Sequence, residues 1–372
     1  MYAYETAEPA ASRRWVSVTI GRSPEVVVVD DSRFMRGLIT DTLESGDVEV
    51  VGEAEDGEEA VAVVEELRPD VVTMDVNMPR VDGIEATERI MSSTPTPILM
   101  LSAYTEDGAD ETFAALDAGA VDFIAKPGGE VSAAVTDLEE QLVELVRSVA
   151  DADVSDRGPA AGADTESEPA DRRPEAVEVE PETTVLIGSS TGGPDAVEQV
   201  VSALPGEADV RVLIVQHMPS AFTGRFADRL DESTELDVRE AEDGARIGQG
   251  EALVAAGGEH LEVSSYRNGR LRVKTVDEDR GQGVRPSVNV TFESAAETVD
   301  GPTIGVVLTG MGADGSEGVK ALKRAGARVI AQDEDTSVVY GMPKRAAATG
   351  CVDEILPLGE VASGIVGGPV DV

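Results

Sequence analysis

The chain contains the stretch Val26-Val27-Val28-Val29-Asp30-Asp31, in which four apolar residues are followed at once by two acids. Four further short apolar runs follow, separated by amphipathic stretches, at residues 48–51, 71–74, 98–101 and 121–125. Apolar runs without strict alternation are typical of parallel strands covered on both faces. The pattern therefore predicts five β/α repeats in a doubly wound α/β domain, which we place at residues 24–146.

The rest of the chain divides into three parts. Residues 1–23 form a predicted tail, and residues 147–182, rich in Asp, Glu, Ala and Pro, form a predicted linker extended by charge and proline. Residues 183–372 show a second alternating α/β pattern, in which Asn268-Gly269 between two apolar runs indicates a hairpin. The fold class is thus α/β with two doubly wound domains: a flavodoxin-like N-terminal domain and a C-terminal parallel-sheet domain with an antiparallel hairpin insertion.

The charge of the chain excludes some classes of partner. There are 73 acidic and 30 basic residues, giving a net charge of −43, and only five of the basic residues are lysines. This argues against binding nucleic acid or anionic lipid, which are polyanions. Because both predicted domains are acidic, we favour adaptation to high salt over a local surface for a basic partner. We expect mutual repulsion to loosen the packing of the two domains at low salt.

Cysteine content and hydropathy indicate the compartment. The single cysteine, Cys351, allows no intrachain disulfide, so a reducing interior is the natural setting. No stretch approaches the roughly 20 apolar residues of a membrane span. We therefore predict a cytoplasmic protein that is not inserted in a membrane.

Polar residues follow the predicted strands of the first domain. Asp30 and Asp31 end the first strand, Asp75 ends the third, Ser102 the fourth and Lys126 the fifth. In a doubly wound sheet these strand ends share one edge, so the side chains converge. Any one of these acids alone is more simply read as a helix cap or solvent contact. Three carboxylates together are compatible when they hold Mg²⁺, which predicts a phosphoryl acceptor in which Asp75 is the nucleophile and Lys126 neutralises charge.

This first domain resembles the receiver domain of two-component response regulators. The matching segments are Val27-Val28-Val29-Asp30-Asp31, Met74-Asp75-Val76-Asn77-Met78-Pro79, Asp82-Gly83, Leu101-Ser102-Ala103 and Lys126-Pro127. The resemblance implies that Asp75 is phosphorylated and that Ser102 reaches the phosphoryl group. It also implies Mg²⁺ held by Asp30, Asp31, Asp75 and the backbone carbonyl of Asn77, and a switch aromatic at Phe123.

The second domain carries a possible nucleophile. Gly188-Ser189-Ser190-Thr191-Gly192-Gly193 follows a predicted strand and matches G-x-S-x-G, a turn that exposes its central hydroxyl, here that of Ser190. His217 follows the next strand, and Asp314 follows a third. We expect His217 to take the serine proton and Asp314 to orient the imidazole, in an order that differs from the Ser…Asp…His order of α/β-hydrolases. Backbone N–H groups around an oxyanion are predicted at Gly310, Met311 and Gly312.

Each of these features also has a simpler interpretation when it is taken alone. The glycine-rich turn is compatible with a phosphate or nucleotide loop, although it lacks G-x-G-x-x-G spacing and a P-loop lysine. His217 is compatible with a structural role, and His260 with a structural or a substrate-lining role. Asp314 is compatible with capping the helix that begins there.

The second domain resembles the catalytic domain of chemotaxis-type protein-glutamate methylesterases. The matching segments are Ile187-Gly188-Ser189-Ser190-Thr191-Gly192-Gly193-Pro194, Gln216-His217-Met218, Arg285-Pro286-Ser287-Val288-Asn289 and Leu308-Thr309-Gly310-Met311-Gly312-Ala313-Asp314-Gly315. The catalytic roles carry over to Ser190, His217 and Asp314. The sequence departs from the family at Ser189, where Ala is usual, and at Asn289, where Asp is frequent.

The resemblance implies a serine carboxylic-ester hydrolase without a cofactor in its catalytic domain. Its substrates would be glutamyl methyl esters of methyl-accepting chemotaxis receptors, with release of methanol, and in many members also receptor glutamines, which are deamidated. The receiver would cover the esterase cleft until a chemotaxis histidine kinase phosphorylates Asp75. Two alternatives remain open: a receiver joined to a DNA-binding output, and a receiver joined to a non-catalytic receptor-binding scaffold.

Overall fold

The structure is a computed structural model that describes residues 22–103, 105–126, 134–150, 152, 154, 179–278 and 280–367. The predicted tail (apart from residues 22 and 23), most of the predicted linker, and Pro127 lie outside the described residues. In chain order the elements are β1 (Glu25–Val29), α1 (Arg33–Ser45), β2 (Glu49–Ala54), α2 (Gly57–Leu67), β3 (Val71–Asp75), α3 (Gly83–Ser93), β4 (Ile98–Ala103), α4 (Glu106–Asp117), β5 (Asp122–Lys126), α5 (Ala134–Val149), β6 (Thr183–Ser189), α6 (Gly193–Ser202), β7 (Val210–Gln216), α7 (Ser220–Ser233), β8 (Asp237–Glu240), β9 (Arg246–Ile247), β10 (Glu251–Val254), β11 (His260–Arg267), β12 (Arg270–Val276), α8 (Val288–Thr298), β13 (Thr303–Val307), α9 (Ser316–Arg324), β14 (Arg328–Gln332), α10 (Met342–Ala348), β15 (Glu354–Leu356) and α11 (Leu358–Val366).

The N-terminal sheet has five parallel strands in the order β2-β1-β3-β4-β5. This confirms the predicted flavodoxin-like arrangement. Val26 to Val29 and all of β3 are buried, as expected for parallel strands covered by helices on both faces. Because all five strands run in one direction, the residues at their carboxyl ends meet at one edge of the sheet.

The C-terminal region contains a seven-stranded sheet in the order β15-β14-β13-β6-β7-β10-β8, in which every pairing is parallel. A separate antiparallel sheet, β11-β12-β9, contains the predicted hairpin. Asn268 and Gly269 have φ values of 51° and 69°, the left-handed pair that a two-residue hairpin turn requires. The short strands β8, β9, β10 and β15 were not predicted from the sequence.

The two sheet domains contact each other through α4 and β5 on one side and α7 on the other. Phe113 of α4 stacks on Phe226, with ring centroids 6.1 Å apart, and Phe123 of β5 lies 4.6 Å from the ring of Phe222. These four phenylalanines are buried in a protein whose sequence contains only six. The phenylalanine side chains are therefore concentrated at the contact between the domains, whereas the cores are mainly aliphatic.

None of the helices in the described residues is long and apolar enough to cross a bilayer.

Candidate active site and phosphoacceptor site

Three neighbouring strands of the C-terminal sheet bring Ser190, His217 and Asp314 to one edge. Ser189 at the end of β6 pairs with Gln216 at the end of β7, so Ser190 and His217 are the next residues on adjacent strands. On its other side β6 pairs with β13, and the loop at residues 308–315, which follows β13, contains Asp314. Parallel pairing in register thus places the predicted residues together.

His217 and Asp314 are joined by a hydrogen bond of 2.8 Å between Nε2 and Oδ2. An ionised carboxylate only accepts hydrogen bonds, so Nε2 carries the proton and Nδ1 is left as the basic nitrogen. Ser190 is partly exposed, and both Ser190 and His217 line the same cavity of about 310 Å³. The arrangement can therefore supply an accessible hydroxyl and a nitrogen base oriented by a carboxylate.

Four further donors hold the Asp314 carboxylate. Oδ1 accepts hydrogen bonds from Ser287 Oγ (2.9 Å) and from the N–H groups of Asn289 (3.1 Å) and Gly315 (2.9 Å). Oδ2 accepts one from the N–H of Val288 (2.7 Å). Burial by itself raises the pKa of Asp314, but the hydrogen bond and charge of His217 and the backbone donors outweigh it, and the pKa is lowered. Asp314 is thus held as an anion.

The alternative in which Asp314 caps its own helix is wrong. Helix α9 begins at Ser316 with Gly315 as its N-cap, and the Asp314 carboxylate accepts no N–H from within this helix. Instead, the carboxylate accepts the N–H groups of Val288 and Asn289, the first residues of α8. Asp314 therefore uses the positive end of the neighbouring helix, which also favours its ionised form.

The side chain of Asn289, one of the two positions where the sequence departs from the family, forms hydrogen bonds to α9 and to Gln282. Its Oδ1 accepts the N–H of Gly318 in the first turn of α9 (2.9 Å), and its Nδ2 donates to Gln282 Oε1 (3.1 Å). The side chain therefore caps α9 in place of a local N-cap residue. A neutral amide does this without placing a second anion beside Asp314.

The loop after β13 narrows the choice of oxyanion donors. The N–H of Gly310 donates to the carbonyl of Val339 (3.0 Å), so it is already engaged. A Cβ at Gly310 would lie 2.7 Å from the Cβ of Ser190, which shows how closely this backbone approaches the serine. Among the described residues no acceptor is found for the N–H groups of Met311 and Gly312. Of the three predicted donors, these two have their N–H groups available.

His260, the second histidine of the chain, is buried, and its Nδ1 has no hydrogen-bond partner among the described residues. Burial lowers its pKa, and the nearby positive charges of Arg285 and Arg280 lower it further. His260 is thus held neutral.

In the N-terminal domain Asp30, Asp31 and Asp75 converge, with one ligand oxygen from each within 4.8 Å of the others. Lys126 Nζ lies 2.7 Å from both Asp30 Oδ2 and Asp75 Oδ1. Burial raises the pKa of Asp75, the ion pair with Lys126 opposes this, and the balance remains raised. Three oxygen ligands that repel one another suit a hard divalent cation, so this acidic cluster fits the metal site that a receiver implies.

Ser102 and Phe123 both contact α4. Ser102 is buried, donates to the carbonyl of Gly108 (3.1 Å) and accepts from Thr112 Oγ1 (2.5 Å), so its hydroxyl is tied to α4. Phe123 is buried between Phe113 and Phe222. The Asn77 side chain points elsewhere, donating to Glu111 Oε2 (2.6 Å), which leaves its backbone as the part implied near the metal.

The cavity at Ser190 is bounded by both domains. Phe123 and Leu145 line it from the N-terminal domain, and Met218, Val284 and Met311 line it from the C-terminal domain. Ser148 of α5 also donates to the Met311 sulfur (3.0 Å). In this arrangement the N-terminal domain lies over the entrance to the candidate active site.

Sequence reasoning missed several residues that shape this site. Ser287 and Gln216 lie inside the motifs of the second domain, and the position of Gln216 directly before His217 was a usable signal. Phe222 and Arg229 act between the domains. Nothing in the local sequence indicates which domain surface they meet.

The fold and the two sites define a regulator in which a sheet with an acidic cluster at its edge is joined to an α/β domain that carries Ser, His and Asp at one sheet edge. The response regulator receiver domain model matches residues 26–135, and the CheB methylesterase model matches residues 185–365. The chain belongs to the protein-glutamate methylesterase/protein-glutamine glutaminase family, because relatives with that name are 56% and 54% identical to it over more than nine-tenths of its length. A DNA-binding output is not favoured, because the methylesterase match occupies the output half of the chain.

Two relatives are similar over nearly the whole chain, and two solved structures are similar to one domain each. A protein-glutamate methylesterase/protein-glutamine glutaminase of Haloarcula marismortui is 56% identical, covering 91% of this chain and 96% of its own. One of Halobacterium salinarum is 54% identical, covering 92% and 97%. The crystal structure of the Thermotoga maritima CheB methylesterase catalytic domain is 40% identical with a TM-score of 0.48, covering 50% of this chain and 97% of that one. The response regulator domain of Thermotoga maritima CheB is 47% identical with a TM-score of 0.33, covering 36% and 99%.

Proposed function

We propose that the chain hydrolyses glutamyl methyl esters on chemoreceptors and deamidates receptor glutamines, and that phosphorylation of Asp75 activates it. The observation that carries the catalytic part is the 2.8 Å bond from His217 to a fully hydrogen-bonded Asp314, beside Ser190 in one cavity. We place the receiver at residues 24–146, the linker at 147–182 and the catalytic domain at 183–372. Its relatives in halophilic organisms agree with adaptation of the acidic chain to a salty cytoplasm.

The first half of the reaction forms an acyl-enzyme. Ser190 Oγ attacks the ester carbonyl carbon while His217 Nδ1 takes the hydroxyl proton. The N–H groups of Met311 and Gly312 stabilise the oxyanion of the tetrahedral intermediate. The carbon–methoxy bond then breaks, and the proton on Nδ1 passes to the leaving oxygen to give methanol. Asp314 stays ionised throughout and stabilises the imidazolium.

The second half of the reaction hydrolyses the acyl-enzyme and regenerates the free enzyme. Water attacks the glutamyl–serine ester as His217 Nδ1 takes one of its protons, and the proton then passes to Ser190 Oγ as the acyl–oxygen bond breaks. The products are a glutamate side chain and the free serine. A glutamine substrate follows the same steps with ammonia as the leaving group, which accounts for deamidation at the same site.

Asp75 is the proposed phosphoacceptor, with a chemotaxis histidine kinase as donor. Asp30, Asp31, Asp75 and the carbonyl of Asn77 would hold Mg²⁺, which supplies positive charge to the phosphoryl oxygens when bound. Lys126 supplies a second positive charge from its position between Asp30 and Asp75. Mg²⁺ belongs to the receiver alone, and the proposed ester hydrolysis uses no cofactor.

The contacts of Ser102 support a route from Asp75 to the domain interface. Its hydroxyl is tied to Thr112 and Gly108 of α4, and the same helix carries Phe113, which packs on α7. A phosphoryl group that draws Ser102 away from Thr112 would release α4 and weaken the interface over the cavity. Opening of that interface exposes Ser190 to the receptor.

Methanol release from methylated receptor tests the catalytic proposal. The wild-type protein should release methanol and the Ser190→Ala variant should not, at equal protein concentration and equal thermal stability. Equal rates for the two proteins would reject Ser190 as the nucleophile. Labelling by a fluorophosphonate, which reports an activated serine independently of the receptor, separates a wrong substrate from a wrong site.

A further inference from the structure

Gln216, the last residue of β7, joins both turns that carry catalytic residues. It is buried, and its Nε2 donates to the carbonyl oxygens of Ser190 (2.8 Å) and His217 (3.1 Å). Its Oε1 accepts the hydroxyl of Ser189 (2.6 Å). A single planar amide therefore binds the backbone of Ser190, the backbone of His217 and the side chain of Ser189.

The orientation of this amide follows from its partners. Two carbonyl oxygens accept hydrogen bonds and cannot donate them, so the NH₂ group of Gln216 must face them and its oxygen must face Ser189. The Ser189 hydroxyl then donates to that oxygen and opposes rotation of the amide. Space for this oxygen exists only because residue 193 is glycine, since a Cβ there would lie 2.1 Å from Oε1.

The Ser190 carbonyl is held from two directions, by Gln216 Nε2 and by the N–H of Gly193 (2.8 Å). In a trans peptide the C=O and the following N–H point in opposite directions. Fixing the Ser190 carbonyl therefore fixes the direction of the Thr191 N–H, which belongs to the same peptide group. Gln216 thus controls the backbone around the nucleophile and the distance between Ser190 and His217 together.

We propose that Gln216 is a positioning residue for the esterase reaction and that Ser189 is its orienting partner. The inference rests on the proposed function, because it assigns a role within the same reaction. Gln216 does not touch the reacting atoms and acts through the backbone of the residues that do.

The test compares Gln216→Met, Ser189→Ala and their double variant in the full-length protein. Misplacement of catalytic groups by about 1 Å costs on the order of 100-fold in rate, so Gln216→Met should lower kcat about 100-fold with KM changed less than about threefold. Ser189→Ala should lower kcat about 3- to 10-fold, because the amide keeps its two carbonyl partners. The double variant should be no slower than Gln216→Met, since Ser189 acts only through Gln216.

Gln249→Met is the matched control, because Gln249 lies exposed in a turn, and it should leave kcat unchanged. Thermal unfolding shows whether each variant folds. If Gln216→Met does not fold, the rate of Ser189→Ala tests the proposal instead. A folded Gln216→Met protein with the wild-type kcat, or multiplied rate reductions in the double variant, would overturn the proposal. The rate of fluorophosphonate labelling should fall in the same order, and this readout stands even if the receptor ester proves to be the wrong substrate.

Discussion

Arg229 of α7 offers the clearest perturbation of the contact between the domains. Its guanidinium lies 5.6 Å from the centre of the Phe113 ring and 2.7 Å from Asp117 Oδ1, both on α4. Within its own domain it is held by Glu198 (2.6 Å). The side chain is only 20% exposed, so these contacts are shielded more than an ordinary surface pair. We predict that Arg229→Met raises the activity of the unphosphorylated protein.

The size of the effect follows from the ion pair and the cation–π contact that Arg229 makes with the N-terminal domain, since its third contact there, a hydrogen bond of 3.5 Å to the Phe113 carbonyl, is long. Asp117 is 62% exposed, so its ion pair contributes about 0.5 to 1 kcal/mol. The cation over the Phe113 ring contributes about 0.5 to 1 kcal/mol more. Removing about 1 to 2 kcal/mol changes the ratio of closed to open protein by a factor of about 5 to 30. Basal methanol release should rise by that factor while the open form remains a minority.

The assay measures methanol release with and without a phosphodonor. The phosphorylated Arg229→Met protein should match the phosphorylated wild type, which shows that the catalytic domain itself is intact. Arg225→Met is the matched control from the same helix, because its pair with Asp110 is longer (3.3 Å) and both side chains are largely exposed. A basal rate in Arg229→Met no higher than that of Arg225→Met would refute the reasoning.

Three further predictions concern charge. Asp314→Asn should lower kcat by several orders of magnitude, because an amide cannot accept all the hydrogen bonds that the Asp314 carboxylate accepts, including the one that orients His217. The folded pKa of Asp314 is lowered, so the ionised carboxylate stabilises the fold. The Tm of the wild type should therefore exceed that of the variant above pH about 4, and this difference should be lost as the pH falls further. Asp75→Asn should abolish activation by a phosphodonor but keep basal methanol release. The folded pKa of Asp75 is raised, so its negative charge lowers the stability of the fold at neutral pH. Without Mg²⁺ the variant should therefore have a higher Tm than the wild type at pH 7, but not below pH about 4. Basal methanol release should rise as the salt concentration is lowered, because the two acidic domains repel each other more strongly. The rise should be steeper in Arg229→Met, because this variant lacks an attraction between the domains that low salt strengthens. A basal rate that does not change with salt in either protein, while both stay folded, would contradict this prediction.

The sequence predicted the fold well where strands are buried. Parallel central strands such as β1 and β3 are continuous apolar runs, so their position and the residues at their carboxyl ends follow from the pattern. The short strands β9 and β15, of two and three residues, carry no such run. They exist because neighbouring segments pair with them, which is a property of the assembled sheet.

The clustering of the candidate site residues could be predicted for the same reason, since polar residues after parallel strands share an edge. The sequence could not show that Asp314 caps α8, because α8 begins 26 residues earlier in the chain and only folding brings it to the carboxylate. The pairing of Phe123 with Phe222 was equally hidden, since each sits in a locally ordinary element. Contacts between domains depend on surfaces that no single segment encodes.

The central claim is that a phosphorylated receiver releases a serine esterase, and one time course tests it directly. Methanol release from methylated receptor is followed for the wild type, Ser190→Ala and Asp75→Asn, each with and without a phosphodonor and Mg²⁺. The account predicts accelerated release in the wild type alone, unaccelerated basal release in Asp75→Asn and none in Ser190→Ala. Acceleration in Asp75→Asn, or release by Ser190→Ala, would contradict it.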